Sequence, residues 1–90
     1  MTQSLPGKRI QIIWSPQART QLRSIDREVA MNILNCLDRY AKTRGGDVKK
    51  LRPPFSGFRL RCGDYRLFFH LEDELTIQIE SVRHRSEAYR

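Results

Sequence analysis

No apolar run among the 90 residues approaches the ~20 that a membrane-spanning helix needs. The opening stretch, residues 1–10, has no apolar signal-peptide region, so the expected address is cytoplasmic. Cysteine is scarce. Cys36 and Cys62 stand alone, neither in a C-x-x-C pair, and are expected to be small buried hydrophobes with no disulfide and no bound metal. There is no glycine-rich phosphate loop, since Gly45-Gly46 reads as a helix terminator. No carboxylate pair has glycosidase character, and spacing picks out no Ser/His/Asp or Cys/His set. Repeats, low-complexity segments and linkers are absent, which leaves one domain over residues 1–90. Membrane channels, P-loop enzymes, zinc modules and triad hydrolases are thus disfavoured together.

Acidic residues are also in short supply, 10 against 17 lysines and arginines, for a net charge of +7. Such a balance in so short a chain favours a polyanionic partner, nucleic acid first and an anionic membrane surface or acidic protein second. Its distribution narrows the choice. Residues 49–66 hold Lys49, Lys50, Arg52, Arg59, Arg61 and Arg66 against the single acid Asp64, and Arg83, Arg85 and Arg90 follow near the end.

Residues 58–69 read as a β-hairpin turning at Gly63-Asp64. In that register Cys62 faces Tyr65, Leu60 faces Leu67 and Phe58 faces Phe69 on an apolar face. Arg61 then lies opposite Arg66 on the other face, with Arg59 one step along. Like charges directly opposite each other destabilise a sheet, so such a cluster suggests an anion site. Upstream, residues 10–14 form a short apolar strand, and Ser15-Pro16 opens a helix over about 16–25. Asp26 caps a longer helix whose stripe is Val29, Ile33, Leu37 and Tyr40–Ala41, ended by Gly45-Gly46. Residues 48–52 and the loop 53–57 lead to the hairpin. After a polar turn at 72–74, Leu75, Ile77 and Ile79 mark a last strand towards Val82, with a bulge near Glu80-Ser81 restoring its phase.

The predicted fold is α+β: an N-terminal strand, a helical hairpin and a three-stranded antiparallel β-meander, with the helices on one face of a mainly antiparallel four-stranded sheet. The arginines occupy the other face. Guanidinium groups are permanently charged and bond phosphate oxygens in pairs, so Arg59, Arg61 and Arg66, joined by Lys50 and Arg52, suit a phosphodiester. His84, between Arg83 and Arg85, is a candidate acid–base group or simply a strand-end residue. His70 reads as structural. Tyr89 either stacks on a base or anchors the terminus. Trp14, Phe55, Phe58 and Phe69 are expected in the core.

Three segments, Lys-Lys-Leu-Arg (49–52), Gly-Phe-Arg-Leu-Arg-Cys-Gly-Asp-Tyr-Arg-Leu (57–67) and Val-Arg-His-Arg-Ser-Glu-Ala-Tyr-Arg (82–90), resemble the RelE/ParE superfamily of bacterial toxin–antitoxin toxins. The ending His-Arg-x-x-x-Tyr (84–89) is similar to the RelE branch. The resemblance implies a RelE-like fold and a ribosome-dependent endoribonuclease cutting mRNA in the A site of the 70S ribosome. The ribose 2′-hydroxyl would attack the adjacent phosphate, with no metal or other cofactor. It further implies that Arg66 and a terminal arginine stabilise the transition state. Lys49, Lys50, Arg52, Arg59 and Arg61 would hold the RNA, Tyr89 would stack on or activate the nucleotide, and His84 and Arg85 match a His-Arg step. Arg83 stands where the family usually has glycine, so either Arg83 or Arg85 is the catalytic cation. Arginine is a poor base, which leaves that role to His84, Tyr89 or the ribosome. An implied cognate antitoxin would lay an acidic, amphipathic segment over the toxin. The ParE branch implies instead a gyrase inhibitor that cuts no RNA, and a toxin that has lost its activity but still binds is a third possibility.

Overall fold

A computed structural model describes residues 10–88. The elements follow in the order β1 (Gln11–Trp14), α1 (Pro16–Arg23), α2 (Arg27–Thr43), β2 (Asp47–Lys50), β3 (Phe58–Cys62), β4 (Tyr65–Asp73) and β5 (Thr76–His84).

Ser15 begins α1 as expected: its Oγ accepts the Ala18 N–H at 2.9 Å, and Pro16 sits in the first turn, where a missing N–H costs nothing. Asp26 occupies the N-cap position of α2 without a capping side-chain hydrogen bond. The end of α2 departs from expectation. Arg44, not a glycine, takes the left-handed conformation, with φ 60°. Its guanidinium lies over the Tyr40 ring and donates to the Glu74 carbonyl at 2.6 Å, contacts that offset the unfavourable backbone.

All five strands form one sheet in the order β1-β5-β4-β3-β2, with β1 parallel to β5 and every other pair antiparallel. The sheet therefore has one strand more than the four expected. Residues 47–50 pair with β3 along an edge, and with Val48 as their one apolar residue they show no alternation in sequence. The hairpin register is as read, from Cys62↔Tyr65 to Phe58↔Phe69. The bulge is real too: Phe68 pairs Ser81 and Phe69 pairs Ile79, leaving Glu80 as the extra residue. Helix α1 takes up two backbone groups there. The Ser15 hydroxyl donates to the Glu80 carbonyl at 2.7 Å, and the Val82 N–H donates to Gln21 Oε1 at 2.6 Å.

Both helices pack on one face, α1 against β5 and α2 against β3. Ile33, Leu37, Tyr40 and Ala41 meet Leu60, Leu67, Phe69, Ile77, Ile79 and Val82 in a single core, with Trp14 and Phe58 at its margin. Two expectations fail here. Phe55 is 72% exposed, because the 51–57 loop carries it clear of the helix side. Cys36 and Cys62 form a disulfide, with Cα atoms 5.9 Å apart. Placing α2 over β3 brings together two cysteines separated by 26 positions, a juxtaposition that spacing alone could not reveal.

Candidate RNA-binding face

Cross-strand partners share a sheet face, so register alone sorts the basic residues. On the face away from the helices, one row runs Asp47–Arg61–Arg66–Arg83 across β2, β3, β4 and β5. The next runs Lys49–Arg59–Phe68–Ser81. The predicted opposition of Arg61 and Arg66 is observed, and Arg83 extends it to three arginines abreast. Asp47 relieves part of the repulsion: its carboxylate accepts from Arg59 Nη2 at 3.2 Å and lies 3.8 Å from Arg61 Nη1. This counterion precedes the basic segment and was not counted with it.

Arg66 is the buried member of the row, 9% exposed. Its Nη1 donates to the carbonyls of Gly63 at 2.9 Å and Tyr65 at 3.1 Å. The tight turn thus fixes the guanidinium, and both bonds use a single nitrogen of a group with five donors. Arg61 is the exposed member of the row, and Arg83 is half-buried.

The remaining candidates divide. Lys49 shares the arginine face, whereas Lys50 lies opposite Phe58 on the helix-side register. Arg52 sits in the following loop, where its carbonyl accepts the Phe55 N–H at 3.0 Å. Arg85 is drawn to the hairpin turn: its N–H donates to the Asp64 carbonyl at 2.7 Å, and its Nε lies 3.7 Å from the Asp64 carboxylate. His84 pairs with Tyr65 on the helix-side register, the two rings edge to face at 5.2 Å. Its Nδ1 accepts the Ser86 N–H at 3.2 Å, so the neutral ring carries its proton on Nε2. The parity that turns Val82 inward also turns His84 away from the arginines. Tyr89 lies outside the described residues.

Beside the arginine row is a cavity of about 670 Å³, lined among others by Leu51, Phe55, Phe68, His70, Glu80 and Arg83. His70 belongs to a set that spacing could not expose. Its Nδ1 lies 3.1 Å from Glu80 Oε2 and its Nε2 3.1 Å from Ser56 Oγ. The one signal the sequence carries is parity along β4, which sets His70 on the same face as Arg66. The bulge brings Glu80 to it, and the loop brings Ser56. Among the described residues, no group of three or more His, Cys, Asp or Glu side chains could hold a metal ion. No helix among the described residues is long and apolar enough to cross a membrane. A row of fixed cations beside a half-apolar cavity is suited to a phosphodiester with an attached nucleoside.

A family model for the ParE toxin of type II toxin–antitoxin systems, parDE, matches residues 12–89. No curated protein sequence matches the chain significantly. Among solved structures, the toxin–antitoxin complex RelBE2 from Mycobacterium tuberculosis is 29% identical, with a TM-score of 0.69 over 86% of this chain and 99% of that one. The YoeB dimer from Staphylococcus aureus is 25% identical, with a TM-score of 0.69 over 84% of this chain and 97% of that one. The archaeal RelE–RelB complex from Pyrococcus horikoshii, 23% identical with a TM-score of 0.68, covers 88% of this chain and 98% of its own and shares the fold.

Proposed function

Since this chain belongs to the ParE toxin family of type II toxin–antitoxin systems, within the RelE/ParE superfamily, we propose that it halts translation as a ribosome-dependent endoribonuclease. Its substrate is mRNA in the A site of the 70S ribosome, and its site of action the cytoplasm. The observation that carries this reading is the row Arg61–Arg66–Arg83 across three strands of the sheet face away from the helices. Three cations in register match a phosphate whose negative charge grows as the 2′-oxygen attacks. Arg66, fixed by the turn carbonyls, and Arg83, at the cavity wall, stabilise that charge. Arg61, Arg59 and Lys49 hold the flanking backbone, Arg52 borders the site from the loop, Lys50 lies on the other face and takes no part, and Tyr89 stacks on the nucleotide. Arg85 and His84 support the hairpin end, and the reaction needs no cofactor.

The partner that restrains it is an antitoxin with an acidic, amphipathic segment. Support for an antitoxin comes from the relative of M. tuberculosis, solved as a toxin–antitoxin complex, and for an acidic segment from the net charge of +7. The test is purified toxin added to translating ribosomes, with mRNA ends mapped by primer extension. Codon-spaced cuts that require ribosomes are expected. Intact mRNA would defeat the reading.

One observation favours a second reading. The matching family model is described as ParE, and a ParE-like toxin would use the arginine face to grip DNA gyrase without cutting RNA. Loss of supercoiling activity by purified gyrase, with mRNA intact, would establish it.

A further inference from the structure

We infer that His70 is the proton acceptor of the cleavage step, held for that task by Glu80 in a nucleotide subsite beneath the 53–57 loop. The inference rests on the RNA-cleaving reading above and supplies what the arginines cannot, because a guanidinium does not lose its proton.

The geometry is that of a base and its orienting group. An ionised carboxylate only accepts hydrogen bonds, so the contact of Glu80 Oε2 with His70 Nδ1 at 3.1 Å places a proton on Nδ1. That leaves the lone pair of the neutral ring on Nε2, which lies 3.1 Å from the Ser56 hydroxyl. Ser56 therefore stands where a substrate hydroxyl would stand. When Nε2 gains a proton, the same hydroxyl accepts from it and Glu80 faces an imidazolium. Both states of a proton-transfer cycle are satisfied without rearrangement.

Two further observations bear on what this arrangement is for. The His70 and Glu80 side chains are 42% and 46% exposed, a setting in which a pair adds little to stability. The loop is also shaped to the imidazole: at Gly57, with φ 92°, a Cβ would come within 3.0 Å of His70 Nε2 and Cδ2 and within 2.6 Å of the Phe69 carbonyl. Phe55, 72% exposed, and Phe68 supply apolar surface against which a base can stack. Arg83 lines the same cavity, so phosphate and ribose can occupy it together.

In the step, Nε2 takes the 2′-hydroxyl proton as the 2′-oxygen bonds to phosphorus. The bond from phosphorus to the 5′-oxygen breaks, that oxygen takes a proton from water, and the imidazolium proton neutralises the hydroxide left behind. The products are a 2′,3′-cyclic phosphate and a 5′-hydroxyl end.

The experiment is single-turnover cleavage of A-site mRNA on programmed ribosomes by the wild-type chain and by His70→Gln, His70→Ala and Glu80→Gln. His70→Gln is expected to cut about 100-fold or more slowly with ribosome binding unchanged. Glu80→Gln should lower the maximal rate and leave KM alone. Added imidazole should restore cleavage to His70→Ala, a rescue that a purely structural role would not give. A wild type that cuts beside a His70→Gln that cuts equally fast overturns this assignment alone. A His70→Ala that imidazole cannot rescue overturns it as well. A wild type that cuts nothing defeats the underlying reading instead.

Discussion

At the scale of single residues, register separates cations that composition leaves equivalent. Arg83 and Arg85 are two positions apart, yet one lines the cavity and the other is tied to Asp64 at the turn. Arg83→Ala is therefore expected to reduce mRNA cleavage about 10²–10³-fold. Arg85→Ala should leave it largely intact, and comparing the two rates on programmed ribosomes checks this.

Burial likewise reverses an expectation about the hairpin. Seen only as opposed like charges, Arg61 and Arg66 are residues whose removal should relieve strain. In the fold Arg66 is buried and bonds two turn carbonyls, so Arg66→Ala is expected to destabilise by about 1–3 kcal/mol. Arg61 is exposed and lies beside Asp47, and Arg61→Ala should change stability by less than about 1 kcal/mol. Urea denaturation of both variants reads the difference.

Two glycines in unusual conformations also part company. Gly63, with φ 63°, has nothing near the position of a Cβ, so Gly63→Asn should be tolerated. At Gly57 a side chain would strike the Phe69 carbonyl, and Gly57→Ala is expected to cost about 2 kcal/mol or more. Melting temperatures of the two variants decide it.

At the scale of elements, legibility in the sequence followed how much an element depends on its neighbours. The hairpin could be read residue by residue, because a two-residue turn sets its register and alternation sets its faces. The bulge was legible for the same reason, through the phase change between Ile79 and Val82. Strand β2 was not, since an edge strand held by pairing with β3 needs little apolar pattern of its own. The end of α2 was misplaced because the Arg44 conformation is stabilised by Tyr40 and by the distant Glu74 carbonyl. The Cys36–Cys62 disulfide joins α2 to the end of β3. Closing a loop of that length stabilises by about 3 kcal/mol. Reduction is therefore expected to lower the melting temperature by on the order of 10 °C, measured with and without dithiothreitol.

At the scale of the whole molecule, the sheet separates an apolar face from a basic one. Helices cover one face with the apolar core, and the other carries the arginine row and the cavity. If the arginine face neutralises the scissile phosphate and two flanking phosphates of single-stranded RNA, the logarithm of affinity should fall with the logarithm of salt at a slope of roughly −2. Fluorescence anisotropy across a potassium chloride series checks this, and Arg61→Ala should make the slope shallower.

The sequence by itself determined the α+β class, the hairpin register, the opposed arginines and the superfamily, because these rest on local periodicity, turn chemistry and short motifs. Tertiary structure alone decided which groups meet. It bonded Cys36 to Cys62, and joined Ser56, His70 and Glu80 from a loop and two strands. Such contacts depend on how elements far apart in the chain pack together, and that leaves no local pattern in the sequence.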